Sequence, residues 1–500
     1  AASAIYNFRA MRVFHGTVIH ALTPTALTVL RSAVLGVDRG RVCFLEDAHT
    51  ETLTPTSTLA LRGSATSPAR QLDLSDAELV VLPPGGFLAP GMVDTHTHAP
   101  QFTFAGTGYD LQLLEWLQTY TFPFEAKFSD LPHAEEVYAK VVRRTLSLGS
   151  TSAVYFGTIH TDATLALASA AATTGQRAFI GKVNMDRNAP DYYIETTADS
   201  LAETERFIQG MRSLGGKARA AIEEGAPAPV PVVTPRFVPT CTPALLKGLG
   251  DLAAKYGLPV QSHISENVDE VEWVAELHPE CSSYAATYDA YGLLGSRTIL
   301  AHGVYLTDIE LRLLHQRGTT VSHCPMSNSM LRSGAMPLRK LLRENVRVAL
   351  GTDVSGGASP SLLNTIREVL KVSNLVSVTS ATDFKNAGGA GKADSPTSPT
   401  SPPLKRVRST ANLAPLSPIT SAEAFWLATV GGAQALGVEA LTGTLVVGSE
   451  FDAILVDPKA PGSPFDLYGH EQPIDIFQKW LQLGDDRNIV AVYVSGRKVV

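Results

Sequence analysis

The chain has 500 residues, with 41 Lys and Arg against 48 Asp and Glu and a net charge of −7. That balance excludes a nucleic-acid binder relying on a basic surface, and a composition 44% hydrophobic and 18% charged excludes global disorder. The length suits one large domain with inserts, or two domains.

The opening AASAIYNFRAMRVFHG has no continuous apolar core, so no secretory signal is expected. Every long apolar run is broken by Gly, Pro or charge before the roughly 18 residues of a membrane span, so no membrane partner is expected. Residues 1–85 read as short strands and turns, with RVFHGTVIH, ALTVL and RVCFLED as the strand-like runs. Residues 441–500 return to that character in TGTLVVG, FDAILVD and AVYVSGRKVV. Both ends are expected to build one small β domain.

Residues 86–440 have another rhythm. Eight apolar runs alternate with helical stretches: GFLAPGMVDTHTH, TSAVYFGT, RAFIGKVNM, VPVVTPRF, LPVQSHISE, TILAHGVYL, TTVSHCPMSN and VRVALGTDVSGG. Continuous apolar strands are buried on both faces, as in a parallel sheet. Eight β–α alternations predict an α/β fold, a (β/α)8 TIM-type barrel. Residues 380–418, rich in Gly, Ser, Pro and Thr, read as a disordered insertion. The KRVR cluster and Ser-Pro pairs there suit a nuclear signal or phosphorylation, but a solvated loop is the plainer reading. Cys43, Cys241, Cys281 and Cys324 are far apart with no CxxC pair, which predicts reduced thiols in a cytoplasmic protein.

The polar residues fall at strand ends. The first barrel strand ends Asp94-Thr95-His96-Thr97-His98, and residues i and i+2 of a strand face the same way. His96 and His98 therefore point together into the barrel mouth. His263, His302 and Asp353 end the fifth, sixth and eighth strands, where barrel active sites are built. Neutral imidazoles with a carboxylate suit Zn²⁺, with Fe²⁺ or Mn²⁺ as alternatives. A lone histidine is more often a core or surface residue, but this combination in barrel order predicts a metal centre. Asp94 reads as an orienter of the ligands or as a turn residue. His323, ending strand seven, reads as near the mouth or as structural only. A cytidine-deaminase zinc site needs H-x-E followed by P-C-x-x-C. His133-Ala134-Glu135 supplies the first part, and nothing supplies the second.

PGMVDTHTHAPQFTFAG, LLEWLQTYTFPFE, VTPRF, QSHISEN, AHGVYL, HCPMSN, LGTDVSGG and LGDDRNI together resemble the guanine deaminases of the amidohydrolase superfamily. The resemblance runs from about residue 10 to residue 499, interrupted by the 380–418 segment and by a Pro/Ala-rich stretch around 224–231. It implies a distorted (β/α)8 barrel with a small β-sandwich formed by residues 1–85 and 441–500. It implies one zinc per subunit on His96, His98, His263 and Asp353, and a homodimer. Bimetallic relatives carry a lysine at the fourth strand end; here that strand ends Val233-Thr234-Pro235-Arg236-Phe237, which predicts a single metal.

The reaction implied is hydrolysis of guanine to xanthine and ammonia. Zinc lowers the pKa of a bound water toward about 7. Asp353 is expected to accept the water proton, His302 to orient the hydroxide, and Glu266 to shuttle protons to ring N3 and the leaving amine. Read without the resemblance, Glu266 is an acid favoured by the dipole of a helix first turn. Gln101 and Arg236 are expected on the polar edge of the purine and Phe237 beside the base, with Trp116 closing the pocket or packing in the core. The alternatives are an 8-oxoguanine or triazine deaminase, or a catalytically dead scaffold.

Overall fold

A computed structural model describes residues 11–47, 58–61, 70–73, 77–388 and 416–500. The first ten residues of the segment read against a signal peptide lie outside that set, as does most of the 380–418 segment with its KRVR cluster. The helix Leu362–Gly388 runs on past Ser380. At the other end of the segment, Ile419 N–H donates to Ser373 Oγ at 2.8 Å.

The termini do meet in one sheet. Arg12–Thr23, Ala26–Asp38, Arg41–Asp47, Glu78–Val81 and Phe87–Pro90 join Ala453–Val456, Ile489–Val494 and Arg497–Lys498 in an eight-stranded sheet. Thr58–Leu61 and Arg70–Asp73 pair in a separate two-stranded sheet, and the β-sandwich implied by the resemblance stays an expectation. Strand Arg12–Thr23 is irregular. Its first half pairs with Glu78–Val81 and its second half with Phe87–Pro90, with a register shift between Gly16 and Val18. Such an irregularity bends and twists a strand. Gly16 sits there at φ 150°, and a Cβ would meet the Leu82 side chain at 2.7 Å. Phe14, Leu35, Leu88, Phe451 and Tyr493 share one apolar cluster of this sheet.

All eight expected barrel strands are present, and they are parallel. Met92–His98, Ser150–Phe156, Arg177–Gly181 and Val230–Pro231 form one ladder. Val260–Ile264, Thr298–His302, Thr320–His323 and Arg347–Leu350 form another. The ladders do not close into a continuous ring. The fourth strand is split into Val230–Pro231 and Thr234–Pro235, because Pro231 and Pro235 have no N–H to donate. The backbone bridge Val233–Val260 and two side-chain bonds, Gln261 Nε2 to Thr234 Oγ1 at 3.0 Å and Ser262 Oγ to the Pro235 carbonyl at 2.7 Å, tie it to strand five.

The seam between strands one and eight is stitched by single bonds. Asp353 N–H donates to the His96 carbonyl at 2.8 Å, and His98 N–H to the Val354 carbonyl at 3.0 Å. Asp94 takes the place of ladder carbonyls here. Its Oδ1 accepts from Thr352 N at 3.0 Å and from His96 N at 3.2 Å, and its Oδ2 accepts from Thr352 Oγ1 at 2.6 Å. Burial pushes its carboxyl up to about 7 despite these donors.

The helices between strands follow their caps. Pro243–Tyr256, for example, starts where Thr242 Oγ1 accepts from Leu245 N and stops at Gly257, φ 63°. Among the described residues no helix is long and apolar enough to cross a membrane. The four cysteines are all free.

Candidate active site

The C-terminal ends of the strands bring the predicted histidines to one point. The ligand atoms of His96, His263, His302 and Asp353 all lie within 4.8 Å of one another. His98 stands outside that mutual set but its Nε2 reaches two of its members. Its Nε2 is 3.2 Å from His263 Nε2 and 3.4 Å from Asp353 Oδ1. His96 Nε2 is 3.1 Å from the same Asp353 oxygen. The backbone is unusual at these positions: Ser265, His302 and Asp353 have φ of 49°, 76° and 48°. Non-glycine residues there carry strain that surrounding structure must hold, and such residues gather at functional sites.

The donor set fits a divalent cation. His263 Nδ1 lies 2.5 Å from the Arg236 carbonyl, which can only accept, so the ring proton is on Nδ1 and Nε2 presents a lone pair. His302 is set the same way, Nδ1 facing Asn328 Oδ1 at 2.9 Å. His96 Nε2 and His302 Nε2 are buried and make no hydrogen bond. Two imidazole nitrogens 3.2 Å apart beside a carboxylate satisfy one another poorly, and a shared cation would satisfy them all. Burial holds His96 below its ordinary pKa, His98 down at about 4 and His263 well below, so all three are neutral donors. For Asp353, burial acts upward, but His96, His98 and His302 together bring it well below the carboxylate range.

Beside this cluster lies a partly enclosed cavity. His98, His263, His302, Asp353, Glu266, Gln101, Arg236 and Phe237 all line it, and Leu113, Trp116, Leu117 and Leu331 supply apolar wall. Every residue expected to bind substrate therefore faces one space, Trp116 included. His96 is not among its lining residues. His323 is buried and held neutral by burial, with a pKa of about 3, and belongs to neither the cavity lining nor the cluster.

Glu266 has two differently engaged oxygens. Oε2 faces His302 Nε2 at 3.3 Å, and Oε1 accepts from Ser333 Oγ at 3.2 Å. Burial, then Asp353 and Glu270, raise its pKa well above the ordinary carboxylate range. The dipole reading does not describe it, since Glu266 precedes helix Val268–Leu277 and the cap is Asn267.

Three residues of this arrangement escaped the sequence reading. Glu125 binds both Arg236 and Gln101 from behind the cavity wall: Arg236 NH1 to Oε2 is 2.7 Å, and Gln101 Nε2 to Oε1 is 2.8 Å. Glu270 accepts from the Glu266 N–H at 2.8 Å and from Tyr284 OH at 2.7 Å. Ser333 holds Glu266, as above. Glu270 was findable, because Asn267-x-x-Glu270 is a capping-box pattern. Glu125 lies inside the quoted motif LLEWLQTYTFPFE, yet nothing local marks its partners, Arg236 being 111 positions away.

A second group, His278, Glu280 and Cys281, also offers ligand atoms. There His278 Nε2 faces Arg187 NH2 at 3.2 Å, and a guanidinium opposes a cation.

A parallel eight-strand α/β architecture with four histidines and an aspartate at its strand ends defines a metal-dependent hydrolase class. The amidohydrolase family matches residues 87–388 and 404–499, and the chain belongs to that family. Within it, the chain is 42% identical over 495 residues to the guanine deaminase of Mus musculus, spanning 98% of this chain and 96% of that one. It is 40% identical over 489 residues to the guanine deaminase of Dictyostelium discoideum, with 98% of each chain covered. Among solved structures, the C. acetobutylicum guanine deaminase with guanine bound in its active site superposes at TM-score 0.79 and 30% identity, covering 98% of this chain and 100% of that one. A triazine hydrolase variant superposes at 0.72 but only 16% identity, a likeness of fold alone.

Proposed function

We propose that this chain hydrolyses guanine at C2 to xanthine and ammonia. The observation that carries the reading is the cavity itself. A buried acid, Glu266, and the cation-ready cluster form one side, and an amide–guanidinium pair, Gln101 and Arg236, lies within the same small space. Near full-length similarity to guanine deaminases supports the choice of substrate.

His96, His98, His263 and Asp353 would hold one zinc, which when bound supplies Lewis-acid activation of water at neutral pH. Asp353 takes a proton from the attacking water, and His302 fixes that water's direction through Nε2. Glu266, protonated at the start, gives its proton to N3 as C2 becomes tetrahedral, carries the proton of the new C2 hydroxyl to the departing amine, and regains a proton from Asp353. Both water protons are thus placed, one on ring N3 and one on ammonia. A carboxyl with a raised pKa suits this two-way traffic. Gln101 and Arg236 grip O6 and N1–H, and Phe237 packs beside the base. Leu113, Trp116, Leu117 and Leu331 keep the far wall dry. We extend the reading, on the resemblance, to a cytoplasmic homodimer.

The test is ammonia release from guanine by the zinc-loaded protein, with xanthine identified by its absorbance. Turnover of a triazine or 8-oxoguanine with guanine ignored would transfer the reading to those substrates. No turnover of any of them would leave a scaffold.

A further inference from the structure

Glu125 is fully buried, with side-chain exposure of 0% against 3% for Arg236. Four hydrogen bonds reach its two oxygens. Oε2 accepts from Arg236 NH1 at 2.7 Å and from Tyr193 OH at 2.8 Å; Oε1 accepts from Gln101 Nε2 at 2.8 Å and from Arg236 NH2 at 3.2 Å. Glu125 does not line the cavity, but Arg236 and Gln101 do. It is therefore placed to act on a ligand only through them.

Its first effect is geometric. A guanidinium has five N–H donors in one plane, and the fork to Glu125 engages one on each terminal nitrogen. The Phe122 ring, 5.3 Å from the guanidinium carbon, covers a face of that plane. Gln101 is fixed at both ends, since Oε1 accepts from Ser355 N at 3.1 Å. Its amide cannot flip without losing both bonds. One further N–H and one further lone pair remain for a ligand.

Its second effect is on charge. Arg236 alone would be a buried cation at the wall of a site meant for a neutral base. Xanthine is a stronger acid than guanine, so a lone cation would favour the ionised product over the substrate. The carboxylate cancels that bias at a separation of one hydrogen bond.

We propose that Glu125 is a positioning and specificity-determining residue: it locks the hydrogen-bonding faces of Arg236 and Gln101 toward a neutral purine and neutralises the guanidinium so that an anionic product is not retained. This rests on the guanine reading above.

The experiment measures guanine kinetics and the binding of xanthine and hypoxanthine, by inhibition and by calorimetry, to zinc-loaded protein at mildly alkaline pH. Xanthine is then largely anionic and hypoxanthine largely neutral. In Glu125→Gln the preference for xanthine over hypoxanthine should rise on the order of tenfold, the effect of exposing one buried charge nearby, and KM for guanine should rise. Glu125→Asp keeps the charge but shortens the fork, so KM should rise while the ligand preference stays within about twofold of wild type. A packing role would damage stability and activity in both variants without moving that preference. An unchanged preference in Glu125→Gln overturns the proposal. If that variant does not fold, Glu125→Asp decides: a raised xanthine preference, or an unchanged KM, overturns it. Wild type that fails to turn over guanine removes the underlying reading; turnover with unmoved preference removes only this one.

Discussion

Glu266 Oε2 faces His302 Nε2 at 3.3 Å while its Oε1 is held by Ser333 Oγ at 3.2 Å, so the two oxygens of one carboxyl have separate settings. The oxygen away from Ser333 is the one beside the histidine cluster. Glu266→Gln preserves the shape and the Ser333 contact but cannot exchange a proton. It should fold, bind zinc normally and lose roughly 10²–10⁴-fold in kcat. Retention of more than half of the wild-type kcat would remove the shuttle role.

The histidine cluster makes a division of labour testable. His302 belongs to the mutually close set, yet it also faces Glu266, whereas His98 contacts His96, His263 and Asp353 within the cluster. Zinc content by elemental analysis should fall strongly in His98→Asn and Asp353→Asn. His302→Asn should keep most of its zinc and lose turnover. If His302→Asn emerges metal-free and His98→Asn fully loaded, the two histidines exchange roles.

What could be read from the chain, and what could not, divides by range. The strand-end histidines announce themselves because alternation along a strand and burial on both faces are local signals. The strands bearing His96, His263 and His302 lie within a few residues of where alternation puts them, while Asp353 falls in the loop just past strand Arg347–Leu350. Pro231 and Pro235 stand in plain sight, yet VPVVTPRF reads as one uninterrupted strand, and the break the prolines impose is a finding of the structure. Glu125 is not legible, because a buried ion pair between distant positions leaves no periodicity. The switch of strand Arg12–Thr23 from one parallel partner to another across the irregularity at Gly16 is not legible either, because one glycine in a sequence does not reveal it.

Asp94 supports the seam on which His96 and Asp353 ride. Asp94→Ala leaves the buried N–H groups of Thr352 and His96 without their acceptor. Each buried unsatisfied donor costs about 1–3 kcal/mol, so urea denaturation should show a loss of at least about 2 kcal/mol, with weakened zinc retention. Asp94→Asn keeps an oxygen for those two donors and can donate to Thr352 Oγ1, so its loss should be much smaller. Equal losses in the two variants would mean that the carboxylate's charge, rather than its acceptors, holds the seam.

His20 gives the terminal sheet a pH dependence. Its Nδ1 accepts from Leu445 N–H at 3.3 Å, joining the two ends of the chain, and burial lowers its pKa to about 4. The unfolded chain takes up a proton near pH 6.5 and the folded chain does not. Stability from this residue is therefore complete above pH 6.5, falls as the pH drops, and levels off below about 4. The loss between pH 7 and about 5 should be about 2 kcal/mol. His20→Asn can still accept the Leu445 N–H but does not titrate. Urea midpoints of the variant should change less with pH over that interval, and identical pH profiles would exclude His20 as the source.

Substrate choice turns on the edge of the purine that Gln101 and Arg236 meet. Guanine presents O6 as an acceptor beside N1–H, while 2-aminopurine keeps the leaving amine and lacks O6. Arg236 only donates and Gln101 does both, so the pair complements guanine. Sites built to hydrogen-bond a substrate group reject analogues lacking it by up to about 10⁴-fold, so wild type should prefer guanine strongly. Replacing Arg236 alone is a poor test, because Glu125 would be left as a buried unpaired carboxylate, at a cost of about 3–5 kcal/mol. The double variant Arg236→Met with Glu125→Gln removes both charges and keeps the volume. Its kcat/KM for guanine should fall far more than for 2-aminopurine, narrowing the gap between them. Equal losses on both substrates would mean that the ion pair only holds the wall together and that Arg236 never meets O6.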